Sequence, residues 1–111
     1  MMVLESLFGS KNRERVLIFL HAREEGFARE IARFYDTDYY PIYDQLGKLE
    51  DSGVIVSRKV GRTIVFQFNP RYALLPELRA LLEKALSYYP DELQERLLRN
   101  RRRPRRRGKP E

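Results

Sequence analysis

The chain has 111 residues, 42% of them hydrophobic, with no cysteine and a single histidine. That length supports one domain with a modest core, and the lack of cysteine excludes disulfides and thiolate metal sites. The net charge of +6 is unevenly placed: residues 99–111 hold eight cations against one acid, whereas residues 1–98 hold 14 cations and 15 acids.

In chain order, the opening stretch MMVLESLFGSK has no basic region leading into a long apolar one, so it does not read as a secretory signal. Ser10 is the expected N-cap of a first predicted helix over roughly 11–22, with Val16, Leu17 and Leu20 at helical spacing. The apolar run from Val16 to Leu20 is far short of a membrane span. Gly26 ends the following connection. A second predicted helix runs from Phe27 to Phe34 with Ala28, Ile31 and Ala32 inward. Tyr35-Asp36-Thr37 reads as a turn, and Asp38 is the expected cap of a third helix over about 38–52. Pro41 is tolerated in its first turn, where backbone N–H groups have no intrahelical partner. Ile42, Leu46 and Leu49 form its buried stripe, and Gly53 ends it.

The period then changes. Val54, Ile55 and Val56, and later Ile64, Val65, Phe66 and Phe68, are β-type residues. Between them Arg58-Lys59-Val60-Gly61-Arg62 reads as a glycine-containing turn, giving a hairpin over about 54–68 closed by Asn69-Pro70. A fourth helix over about 76–88 starts near Pro76 and carries Leu78, Leu81, Leu82, Ala85 and Leu86 on one side. Pro90 breaks it, and a last helix over 91–99 carries Leu93, Leu97 and Leu98. Like charges should keep the basic segment after it extended. The predicted division is a domain over 1–98, mainly α with a small β-hairpin and C-terminal helices, and an Arg-rich tail over 99–111.

A helix, a tight turn, a second helix and a basic hairpin in that order describe a winged helix–turn–helix. The run LFGSKNRERVLIFL, then FAREIARFYDTDYYPIYDQLGKLEDSGVIVSRKVGRTIVFQFNP, resembles winged-helix transcriptional regulators of the ArsR-like family across residues 4–70. Ala32 and Ile42, the LxxLEDSGVI phrase and the strand–turn–strand VSRKVGRTIVFQF carry the resemblance through their order and spacing. It implies that the third helix enters the major groove of double-stranded DNA and that the hairpin wing lies on backbone or minor groove. On this sequence the outward positions are Tyr40, Tyr43, Asp44, Gly47 and Lys48, with Tyr39 beside them. Wing candidates are Arg58, Lys59 and Arg62. Tyrosine hydroxyls bond phosphates, their rings meet thymine methyls, and Asp44 is matched to a cytosine amino group. The face departs from the family habit in its acidity, with Asp36 and Asp38 close by.

The tail adds Arg101, Arg102, Arg103, Arg105, Arg106, Arg107 and Lys109 as DNA-binding candidates. Its end resembles an AT-hook, whose core is Arg-Gly-Arg-Pro, with Lys109 in place of the second arginine. Phosphate-backbone binding is the expected role, with minor-groove insertion as the alternative. The leucines of the fourth helix, with Val3, Leu4, Leu7 and Phe8, predict a homodimer, because a palindromic site needs two reading heads.

No enzyme, metal site or cofactor is expected. His21 reads as a surface or capping residue at a helix end, and Asp36, Asp38 and Asp44 as solvated or capping carboxylates. The expected protein is a cytoplasmic, nucleoid-associated DNA-binding regulator with no membrane partner, either constitutive or controlled by a protein partner or small organic effector. Two alternatives stand beside it: a protein-interaction winged helix with a nonspecific nucleic-acid-binding tail, and an RNA-binding protein.

Overall fold

The computed structural model describes residues 2–99 in nine elements: α1 (Glu5–Phe8), α2 (Lys11–Arg23), β1 (Glu25–Gly26), α3 (Ala28–Phe34), α4 (Tyr39–Asp51), β2 (Ile55–Val60), β3 (Thr63–Phe68), α5 (Leu75–Leu86) and α6 (Asp91–Arg99). The tail residues named above, from Arg101 to Lys109, lie outside the described residues.

Helix α2 is the centre of the domain. Ser10 caps it, its side chain accepting from the Arg13 N–H at 3.1 Å. Every residue from Val16 to Arg23 is buried, so this helix has no solvent face along its second half. Such burial on all sides is the behaviour of a helix packed by neighbours around its whole circumference; here α1, α4, α5, α6 and both β1 and β3 contact it.

The fully buried Glu14 joins the two ends of the described chain to α2. Its carboxylate accepts from the N–H groups of Val3 (2.8 Å) and Leu4 (2.7 Å) and from the Tyr89 hydroxyl (2.6 Å). Burial first, and then this hydrogen bond, push the Tyr89 phenol above its ordinary titration range. Leu4 is consequently buried in its own chain's core, while Leu7 stays exposed. At the other end of α2, the buried Arg23 donates to the carbonyls of Leu97 (2.9 Å) and Arg96 (3.0 Å). It thereby caps carbonyls in the last turn of α6, a favourable place for a cation.

Asp36, at φ 52°, makes the turn between α3 and α4, a conformation that aspartate tolerates. Asp38 occupies the N-cap position of α4 as expected, but its side chain makes no cap hydrogen bond; the cap role is corrected to one of position alone. Ile42, Leu46 and Leu49 are buried as the spacing predicts. The helix ends in a Schellman motif, with Val54 N–H bonded to Leu49 O and Gly53 N–H to Glu50 O, both at 3.0 Å.

The wing differs from expectation in two ways. Strand β2 continues to Val60, and the register Val60↔Thr63 leaves only Gly61 and Arg62 as the turn. Gly61 has φ 63°, the conformation a two-residue hairpin favours at its first central position. Arg58 and Lys59 are therefore strand residues, because β pairing satisfies backbone groups that a five-residue loop would leave to water. The second difference is β1, which pairs antiparallel with β3 (Gly26↔Phe66) and makes a three-stranded sheet of order β1-β3-β2. Neither β1 nor α1 is visible as a pattern in the sequence, since two and four residues are too few to show a period. Gly26 is required by packing: a Cβ there would stand 2.6 Å from the buried Phe19 ring.

Replacing Gly26 by Ala is expected to destabilise the domain by about 1–3 kcal/mol in urea unfolding, the usual range for overpacking a filled core. Glu14→Ala should cost about 2–4 kcal/mol, since it leaves two backbone donors and a phenol without their charged acceptor. Tyr89→Phe should cost less than half as much, because the two N–H bonds remain.

Candidate nucleic-acid interface

Helices α3 and α4 form the helix–turn–helix, and the core stripe of α4 turns its other face to solvent. Tyr40 is 75% exposed and Tyr43 52%. Tyr39 is half-buried and orders the cluster: its ring stacks on Tyr43 (centroids 5.7 Å, 17° between planes) and meets Tyr40 edge-on (5.1 Å, 75°). The Arg29 guanidinium lies over the Tyr39 ring, 4.7 Å from its centroid, a cation–π contact that leaves its charge available.

Farther along α4, Lys48 and Asp44 pair at 3.2 Å across one turn, both exposed. An exposed i, i+4 pair contributes only a few tenths of a kcal/mol, so either side chain is easily redirected. Between them lies Gly47, and a Cβ built there would meet nothing within 4 Å. Glycine in a helix interior costs about 1 kcal/mol relative to alanine, and no intramolecular packing accounts for it here.

The wing candidates separate. Arg58 is engaged within the sheet: from β2 it reaches across β3, donating to Gln67 (2.6 Å) and to the buried carboxylate of Glu25 on β1 (2.7 Å). It holds β1 to the wing. Lys59, paired with Ile64, is exposed, and Arg62 stands at the turn. Arg62 lines a concavity of about 330 Å³ together with Arg29, Tyr39, Tyr43, Ile64 and Phe66. The structure thus brings together Tyr39, Tyr40, Tyr43, Asp44 and Lys48 on one helix face, with Arg62 beside them. Arg29 was missed in the sequence reading. Its signal was available: with Ala28, Ile31 and Ala32 inward, position 29 must point out of α3, toward the start of α4.

His21 is corrected. It is buried, and it joins α2 to α5. Arg79 donates to Nδ1 at 3.1 Å; a guanidinium has no acceptor, so Nε2–H donates to Glu83 at 2.7 Å. Burial holds the imidazole below its ordinary 6.5, the Glu83 hydrogen bond opposing and Arg79 reinforcing that shift. Among the described residues no cluster of three or more His, Asp or Glu is placed to hold a metal ion, and no helix is long and apolar enough to cross a membrane.

No protein-family model matches the chain, and no curated protein matches it. Among solved structures it is similar to a doubly substituted variant of Lactococcus lactis ZitR in its apo form, with TM-score 0.54 and 18% identity, over 86% of this chain and 81% of that one. The likeness is one of fold, and the fold is a winged helix–turn–helix.

Because the folded pKa of His21 lies below the unfolded value, the unfolded chain takes up the proton first as pH falls. The stability that His21 contributes is complete above 6.5 and is lost as pH drops through the folded value. The urea midpoint is expected to fall between about pH 7 and about pH 5, and His21→Gln should flatten that window, since the chain has no other histidine.

Proposed function

We propose that this protein is a DNA-binding transcriptional regulator of ArsR-like type, acting as a homodimer. In this reading α4 lies in the major groove of double-stranded DNA, and the turn of the wing, with Lys59 and Arg62, lies on adjacent backbone or minor groove. The basic tail adds phosphate contacts. The observation that carries it is the outward face of α4: tyrosines and Lys48 surround a mid-helix glycine that nothing in the fold requires. A glycine there lets a nucleic-acid edge approach the helix backbone, which makes its conformational cost intelligible. Exposed apolar residues on or beside α1, α5 and α6, namely Leu7 of α1, Leu74 just before α5, Leu81 of α5, Tyr88 between α5 and α6, and Leu98 of α6, support self-association. Control by a protein partner or a small effector fits the absence of cysteine.

A second reading rests on the same face. Asp44 and Asp51 beside exposed tyrosines suit a protein partner as well, with the tail alone gripping nucleic acid.

Selection of random duplexes by the full chain, followed by affinity measurement on the enriched sequence, separates the two. The regulator reading expects an enriched palindrome. It expects Gly47→Ala to raise the thermal midpoint while weakening binding at least tenfold. It also expects Lys48→Gln and Arg62→Gln each to reduce the salt slope by about 0.9. An unenriched pool, with Gly47→Ala and Tyr40→Ala/Tyr43→Ala binding DNA like the parent, would leave the second reading in place.

A further inference from the structure

We propose that the groove between α3, α4 and the wing binds a small planar aromatic carboxylate, and that its occupancy excludes duplex DNA from this face. The exclusion rests on the regulator reading; the binding does not.

The argument starts from charge. Arg29 and Arg62 stand at this groove, and no carboxylate lines it. Neither guanidinium has an ion-pair partner among the described residues; the same holds for cations such as Lys11, Lys59 and Arg71, but Arg29 and Arg62 line one concavity together. Four other concavities of the surface each contain at least one acid: Glu5, Glu24 with Glu25, Asp44 with Asp51, and Asp91 with Glu95. In residues 1–98, which carry 14 cations and 15 acids, this groove is a local site of uncompensated positive charge. It therefore favours an anion.

The rest of the lining decides what kind of anion. Tyr39, Tyr43, Ile64 and Phe66 present rings and a branched chain, and Ile64 is 43% exposed. A hydrated phosphate or acetate gains nothing from such a surface. A flat aromatic ring covers it in stacked or edge-on geometry, as Tyr39 shows with Tyr43 and with Tyr40 respectively. A carboxylate on that ring reaches guanidinium donors with matching planar geometry. The volume, about 330 Å³, stands at the lower end of the roughly 300–1,000 Å³ typical of small-molecule sites. The groove lies between the exposed face of α4 and the wing turn, so a bound ring occupies space that a duplex spanning both would need. Two cations would also be neutralised where phosphates would approach.

The test uses the full-length ¹⁵N-labelled chain, titrated with sodium benzoate, with benzyl alcohol as ring without charge, and with sodium acetate as charge without ring. Benzoate is expected to shift amides of residues 27–29, 39–43 and 62–66 saturably, with a Kd on the order of 1 mM for so small a probe. Arg29→Gln and Arg62→Gln should each weaken it about tenfold, and Arg71→Gln, away from the groove, should not. Benzyl alcohol and acetate should bind at least tenfold more weakly than benzoate. At constant ionic strength benzoate should raise the apparent Kd for duplex in inverse proportion to the unoccupied fraction of sites, about twofold at half-saturation. Equal binding of acetate and benzoate, absence of saturation, or shifts centred elsewhere would overturn the site. Saturation with unchanged duplex affinity would overturn the exclusion. A chain that binds no duplex would remove the regulator reading and the exclusion with it, while the titration still decides the site.

Discussion

Glu14 sits fully buried on α2 and accepts from two backbone N–H groups near one end of the chain and from the Tyr89 hydroxyl near the other. A carboxylate removed from water needs such partners, because its hydration is otherwise lost without return. The partners in turn are committed to it: Val3 and Leu4 have their N–H groups fixed, and the junction of α5 and α6 is fixed through Tyr89. A polar interaction therefore sets the positions of otherwise apolar pieces. With α1, α5 and α6 placed against α2 on one side and α3, α4, β1 and β3 on the other, the helix is enclosed along its second half. Arg23 plays the matching part at the other end of α2, where it bonds the last carbonyls of α6.

The exposed face built on this frame is electrostatically mixed. Cations that the sequence would count as available are in several cases engaged. Arg58 compensates the buried Glu25, Arg79 serves His21 and Glu24, and Lys48 meets Asp44. Other cations have no ion pair among the described residues, and two of them, Arg29 and Arg62, line the same groove. Counting charges over residues 1–98 conceals this arrangement, because near-neutral totals arise equally from paired charges and from separated ones.

The sequence was most legible where a period repeats. Ile42, Leu46 and Leu49 mark α4 because three apolar residues on one face need that helix and that orientation, and all three are buried. The wing was legible as two β-rich stretches, but its turn was placed too broadly. Arg58 and Lys59 look like loop residues in composition, whereas strand pairing with Val65 and Ile64 holds them in β2. His21 misled for a related reason. A histidine at a helix end is usually solvated, and only the approach of α5 buries this one against Glu83 and Arg79. Gly26 gave a sign of a break and concealed its purpose, which is clearance for the Phe19 ring.

By itself the sequence determined the order of the five longer helices and of the two wing strands, the inward faces of α3 and α4, and the concentration of positive charge after residue 98. Those are properties of spacing and of charge along one dimension, and they survive without knowledge of neighbours. Tertiary structure alone decided which charges are engaged, that β1 completes the sheet, that Glu14 joins both ends of the described chain, and that Arg29 and Arg62 face the same groove. Each of these depends on residues tens of positions apart coming within a few ångströms, and a linear pattern carries no record of that distance.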